Sequence, residues 1–225
     1  YYEGDCYDFI EKKVVIEKAL PLITVLTVAA TGSEMDKTAV ITNEERHLKA
    51  SVSSKLIEPK VSFLDPTLTY TVSPYQTACG AADIFSHVFE TYFSKEEGML
   101  LLDTVMEGIM KTVIQCAPVA MKDPEDYDAR ANLMWASSWA INGFVRADKP
   151  HKWACHAIGH GLSAYYDMTH GLSLAIVIPR WMRKVLSEKT VHRFYEYGVY
   201  VWSIDPGKSE EEVAEEAILK TEEFL

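Results

Sequence analysis

Positive charge is scarce in this chain of 225 residues: 22 lysines and arginines stand against 33 aspartates and glutamates, a formal net charge of −11. That balance argues against nucleic acid or an anionic membrane surface as a partner and points to small molecules. Cysteine is scarce too. Cys6, Cys79, Cys116 and Cys155 lie far apart and form no Cys-x-x-Cys. Neither a zinc ribbon nor a disulfide framework is indicated, and a reduced, cytoplasmic setting is expected. Long hydrophobic runs are missing: the stretch from Leu20 to Ala30 is broken by threonines and falls short of the ~18 residues a membrane span needs. No signal-peptide pattern opens the chain, and neither does a methionine. Tyr1-Tyr2-Glu3-Gly4-Asp5 reads as the interior of a longer protein. What remains is a globular composition, 48% hydrophobic, with ample material for a core.

The β signal is confined to residues 19–65. "PLITVLTV" is β-rich, "KTAVIT" and "LKASVS" flank the polar turn Asn43-Glu44-Glu45-Arg46, and "KVSFLD" is a further short strand. Ser73-Pro74-Tyr75-Gln76 then has the form of a capping box, with Gln76 reaching back, and predicts a helix to about Tyr92. Helices are expected over about 98–121, 124–145, 151–166 and 171–187. "HRFYEYGVYVWSI" is apolar and aromatic enough for core. The last segment places Ala214, Ala217, Ile218, Thr221 and Leu225 on one helical stripe, with its glutamates on the solvated face. The chain therefore divides into an α/β piece, 1–71, and an all-helical piece, 72–225, without repeats or a low-complexity linker.

Three of the seven histidines fall within "HAIGHGLSAYYDMTH". On a helix His156 and His160 share a face, one turn apart, and the aperiodic residues 165–169 would let His170 fold back towards them. Upstream, "GAADIFSHVFETYF" puts Asp83 and His87 at i and i+4 among apolar neighbours. One such pair is commonly an ordinary surface contact. Set beside the triple histidine, it describes an N/O donor set of one Asp and two or three His. Such a set suits Fe(II), Zn(II), Co(II) or Ni(II) and not copper(I) or an iron–sulfur cluster. Cys155, adjacent to His156, points about 100° away on a helix and is expected to pack.

Asp83-x-x-x-His87 within "CGAADIFSHVFE", followed by "WACHAIGHGLSAYYDMTHGLSLAIVIP", resembles the iron-containing (group III) alcohol dehydrogenases, in particular their butanol dehydrogenase branch. "TVAATGSEMDKTAVITNEERHLKAS" extends the resemblance upstream, so that it covers nearly the whole chain. It implies part of an α/β nucleotide-binding domain followed by an all-helical domain, the dehydroquinate synthase-like architecture, with a divalent metal between them. It places the metal ligands at Asp83, His87, His156 and His170, a catalytic histidine beside the metal at His160, and nicotinamide-nucleotide contacts at Thr27, Thr31 and Lys49. The implied cofactors are a divalent ion, Fe2+ before Zn2+, and NAD or NADP. The family's Gly-Gly-Gly-Ser pyrophosphate loop has no counterpart in this sequence.

The expected reaction is hydride transfer between a small primary alcohol or aldehyde and the nicotinamide, with the metal polarising the substrate oxygen and His160 relaying the proton. Phe144 and Tyr166 are candidate pocket walls. A homodimer is compatible with these features. Two other readings stay open. The same ligands could activate water in a metal-dependent hydrolase or lyase, or the chain could be a truncated metal-binding remnant without dehydrogenase activity.

Overall fold

The helical part is built around one helix that is buried on nearly every side. In the computed structural model, which describes residues 2–94, 98–146 and 153–225, this helix is α2 (Pro74–Tyr92). Its start follows from local chemistry: Ser73 Oγ accepts the Gln76 N–H at 3.2 Å, and Pro74 occupies the first turn. The return bond expected from Gln76 does not form; its side chain is exposed. Ile84, Phe85, Val88, Phe89 and Tyr92 are all fully buried. Each such side chain contributes roughly 1.5–3 kcal/mol through burial.

Around α2 pack α3 (Leu100–Lys122), α4 (Tyr127–Ile141), α5 (Ala154–Tyr166) and α6 (His170–Val185), with α7 (Val191–Trp202) and α8 (Glu210–Phe224) closing the far end. α4 starts at Tyr127, three residues later than the sequence suggests, because Asp126 Oδ1 accepts the Ala129 N–H at 2.8 Å and caps the helix there. On α8 the buried stripe is Val213, Ala214, Ala217, Ile218 and Thr221, and Ser209 with Glu212 forms a reciprocal capping box. His151 and Lys152, where the sequence pattern places the start of the helix observed as α5, lie outside the described residues.

The N-terminal part has a short helix α1 (Tyr7–Ile10) and four strands, β1 (Ile23–Val25), β2 (Thr38–Asn43), β3 (Leu48–Ser53) and β4 (Val61–Phe63). β2 and β3 form the expected hairpin, Thr42 opposite Lys49, with Asn43 Oδ1 accepting the Arg46 N–H in the turn. Among the described residues β1 pairs only with β4, in parallel. Of the β-rich run 21–28, three residues pair, because β4 offers three residues to pair with. The fold is thus a partial α/β unit followed by a helical one. Among the described residues no helix is long and apolar enough to cross a membrane.

Candidate metal centre

Two close backbone approaches bring the site together. A Cβ on Gly171 would lie 2.0 Å from the carbonyl oxygen of Cys79, so the start of α6 sits against α2 one turn before Asp83. Only glycine allows that contact. A Cβ on Gly80 would lie 2.3 Å from the Ala29 carbonyl oxygen, so the loop after β1 rests on the same turn of α2. Glu34 fastens that loop from its other end. Its buried carboxylate accepts the Ser138 hydroxyl at 2.5 Å and the Ser137 hydroxyl at 3.3 Å, both from α4. The chain leaves α5 through Asp167, in the left-handed region at φ 51°, and Tyr75 Oη donates to Thr169 Oγ1 at 3.0 Å. His170 then opens α6, folded back on α5 with its ring 5.2 Å from those of both His156 and His160.

The result is a convergence on one carboxylate oxygen. Asp83 Oδ1 has the Nε2 atoms of His170, His87 and His156 at 3.5, 3.7 and 3.8 Å. None of these contacts is a hydrogen bond: Asp83 Oδ1 and His156 Nε2 are both buried without a hydrogen-bond partner. A buried carboxylate oxygen left so costs free energy that native structures rarely tolerate. Asp83, His156 and His170 each present a donor atom within 4.8 Å of the others. His87 adjoins this trio through Asp83 and through its ring, stacked on His156 at 4.8 Å between centroids. Donor atoms held at about 2.0–2.1 Å around one tetrahedral ion lie about 3.4 Å apart. The buried, unpartnered N/O donors therefore fit a divalent cation. His160 belongs to the same neighbourhood, its ring tilted against His170, but it is not in the trio.

Electrostatics agree with a set of neutral imidazoles. Burial lowers His170 to about 3 and His160 to about 4, His160 also by the Lys49 ammonium, and it takes His87 well below its ordinary value. Burial raises Asp83, against the pull of His170, His156 and Lys49. Free imidazoles titrate near 6.5, so on acidification the unfolded chain takes up protons first and folding stability falls from about pH 6.5 downwards. The raised carboxyl of Asp83 acts in the opposite sense, but it is one group against three. Chelator-treated protein should therefore melt at a lower temperature at pH 5 than at pH 7, as followed by circular dichroism. A higher melting temperature at pH 5 would contradict this placement of the histidines.

The remaining candidates are spread more widely. Lys49, on β3, is half-buried and within electrostatic reach of Asp83. Thr27 and Thr31 are exposed on the loop after β1, and Thr31 Oγ1 accepts the Ser33 N–H at 3.3 Å. The structure records no bond joining either threonine to Lys49. Cys155 is fully buried and packs, its thiol pushed up by burial. Tyr166 is 73% exposed, and Phe144 lines a surface cavity of about 530 Å³ with Glu34, Ser62 and Trp135 that includes no member of the histidine cluster. Neither aromatic residue walls the cluster. One further residue of the site is not singled out by the sequence motifs. Glu90, buried on α2, meets His156 Nδ1 through its carboxylate. It stands three residues after His87 and seven after Asp83, on the same face, and that spacing is the signal by which it could be found.

The family model "Iron-containing alcohol dehydrogenase" matches residues 1–66, and "Fe-containing alcohol dehydrogenase family, C-terminal" matches residues 77–225. The chain is 50% identical over 225 residues to NADH-dependent butanol dehydrogenase A of Clostridium acetobutylicum, covering all of itself and 58% of that protein. To the NADPH-dependent aldehyde reductase YqhD of Escherichia coli it is 39% identical over 211 residues, covering 93% of itself and 54% of that protein. The crystal structure of NADH-dependent butanol dehydrogenase A from Thermotoga maritima superposes with a TM-score of 0.92 at 40% identity. That match covers 99% of this chain and 55% of the other. The chain thus spans somewhat more than half the length of these relatives.

Proposed function

Since the chain belongs to the iron-containing alcohol dehydrogenase family, we propose that it carries the metal centre of an NAD(P)-linked oxidoreductase interconverting a small primary alcohol and its aldehyde. The observation that carries this reading is the buried, unbonded Asp83 Oδ1 faced by three imidazole Nε2 atoms. Asp83, His87, His156 and His170 would hold one divalent ion, Fe2+ before Zn2+. When bound, such an ion acts as a Lewis acid towards the alcohol or aldehyde oxygen.

The other residues take their roles from position. His160, neutral at pH 7 and next to His170, is free to accept a proton at its unprotonated ring nitrogen and pass it on. Thr27 and Thr31 are open to a nicotinamide nucleotide on a loop held against α2 through Gly80 and against α4 through Glu34. Lys49, on β3 of the hairpin, adds a positive charge within electrostatic reach of Asp83. The domain division falls at 71/72, ahead of the Ser73 cap. A homodimer and a cytoplasmic setting remain part of the proposal. None of the relatives named above is a hydrolase or lyase, and a water-activating enzyme would have no use for exposed Thr27 and Thr31.

The proposal is tested by metal analysis together with nicotinamide absorbance during oxidation of butanol and reduction of butyraldehyde. One equivalent of Fe or Zn with turnover is expected. Absence of both would overturn it. Within that assay His160→Ala should keep the metal, slow turnover by about 10²-fold and flatten its pH dependence, because a proton-transfer group is lost and not a ligand. Metal loss in this variant would make His160 a ligand.

A further inference from the structure

We infer that Glu90 is a positioning residue of the metal centre: its carboxylate holds the proton of His156 on Nδ1, so that Nε2 is the nitrogen presented bare beside Asp83. The inference rests on the ligand assignment proposed above. Glu90 is nearly inaccessible, its side chain 2% exposed. Every hydrogen-bond partner the structure gives its carboxylate comes from the first turn of α5. Oε1 accepts the Cys155 N–H at 2.6 Å, Oε2 accepts the His156 N–H at 3.3 Å, and Oε2 also meets His156 Nδ1.

The two backbone bonds are a helix cap supplied from a neighbouring helix. α5 has no side-chain cap of its own, Trp153 providing none, and a carboxylate is well placed at a helix N-terminus. Capping alone, however, would not require the ring. A carboxylate can only accept, so the contact with Nδ1 makes that atom the N–H donor and leaves Nε2 with its lone pair. Nε2 is also the atom that is buried without a hydrogen-bond partner, 3.8 Å from Asp83 Oδ1. His87 and His170 differ, their Nδ1 atoms having no partner. A carboxylate behind a ligating imidazole fixes the ring's orientation and raises its basicity, and losing it typically costs 10- to 100-fold in metal affinity. Glu90 thereby joins two elements of the site. It sets where α5 begins relative to α2 and which nitrogen of His156 faces the ion.

The test uses Zn2+ as the probe. Its affinity is measured by competition with a chromophoric chelator on the wild type and on Glu90→Gln, which keeps the size and one acceptor oxygen for the α5 backbone but loses the charge. A long-range 1H–15N correlation spectrum of the chelator-treated, metal-free wild type reports which imidazole nitrogen of His156 carries the proton before any ion is bound. Expected are one equivalent of Zn2+ in the wild type, a His156 protonated at Nδ1, and a 10- to 100-fold weaker Kd in Glu90→Gln. Equal affinity in Glu90→Gln, or a His156 protonated at Nε2, overturns the role of Glu90 while the ligand assignment stands. A wild type that takes up no Zn2+ overturns the ligand assignment itself. Should Glu90→Gln not fold, the wild-type spectrum decides alone.

Discussion

Replacing His156 or His170 with alanine should leave the protein unable to retain a divalent ion through purification, with affinity lowered by roughly 10²-fold or more. Each variant removes an Nε2 from the group that surrounds Asp83 Oδ1, and even partners that only orient a ligand cost 10- to 100-fold. The two should differ in their effect on folding. His170 is partly exposed and its Nδ1 makes no bond, so its removal relieves about as much burial cost as it creates. His156 is buried and supplies the ring contact of Glu90. Without it, the Glu90 carboxylate stays buried on two backbone N–H groups alone, and removing a hydrogen-bond donor from a buried carboxylate is destabilising. Metal analysis and thermal melting of chelator-treated protein measure the two effects separately. One equivalent of metal retained in both variants would remove the histidines from the ligand set. Equal melting temperatures would show that Glu90 needs nothing from the His156 ring.

Periodicity carries much of this site. Asp83 and His87 at i and i+4, and His156 and His160 at the same spacing, are legible because a helix turns a sequence interval into a shared face. The return of His170 is legible from the aperiodic residues before it. Glu90 lies on the same face, three residues after His87 and seven after Asp83, yet a glutamate on a helix is ordinarily solvated. Only the docking of the α5 N-terminus against α2 reveals that it is buried. Tyr166 stands exposed and Phe144 lines a cavity apart from the histidine cluster: aromatic character does not say which cleft a side chain faces. The hairpin β2–β3 reads closely from sequence because its polar turn and alternation are local. β1 is shorter than its β-rich run because the length of a parallel strand depends on a partner that lies 38 residues away, Ile23 pairing with Val61. The Ser209–Glu212 capping box, by contrast, is written in the sequence as Ser-x-x-Glu and marks the start of α8 without any tertiary information.

Gly171→Ala should be among the most damaging single-methyl changes in the chain, and its effect runs against helix propensity. Gly171 lies in α6, where alanine is ordinarily favoured by about 1 kcal/mol. Here the added Cβ would meet three atoms of Cys79 within 2.6 Å, all of them backbone. No side-chain rotation relieves such a contact, so α6 must move away from α2, and overpacking of this kind typically costs about 1–3 kcal/mol or more. His170 precedes the glycine directly and moves with it. The Nε2 now 3.5 Å from Asp83 Oδ1 would be withdrawn, and metal affinity should fall together with melting temperature. Gly108 provides the opposite case. It is exposed in the interior of α3, and a methyl added there would meet nothing within 4 Å beyond its chain neighbours and the backbone of its own helix. Gly108→Ala should therefore stabilise the protein by roughly 0.5–1 kcal/mol and leave metal binding unchanged. Denaturant unfolding and Zn2+ competition on the two variants give the comparison. If Gly171→Ala matched Gly108→Ala in both measurements, the close approach of α6 to α2 would not exist in solution, and His170 would lose the contact that brings it to Asp83.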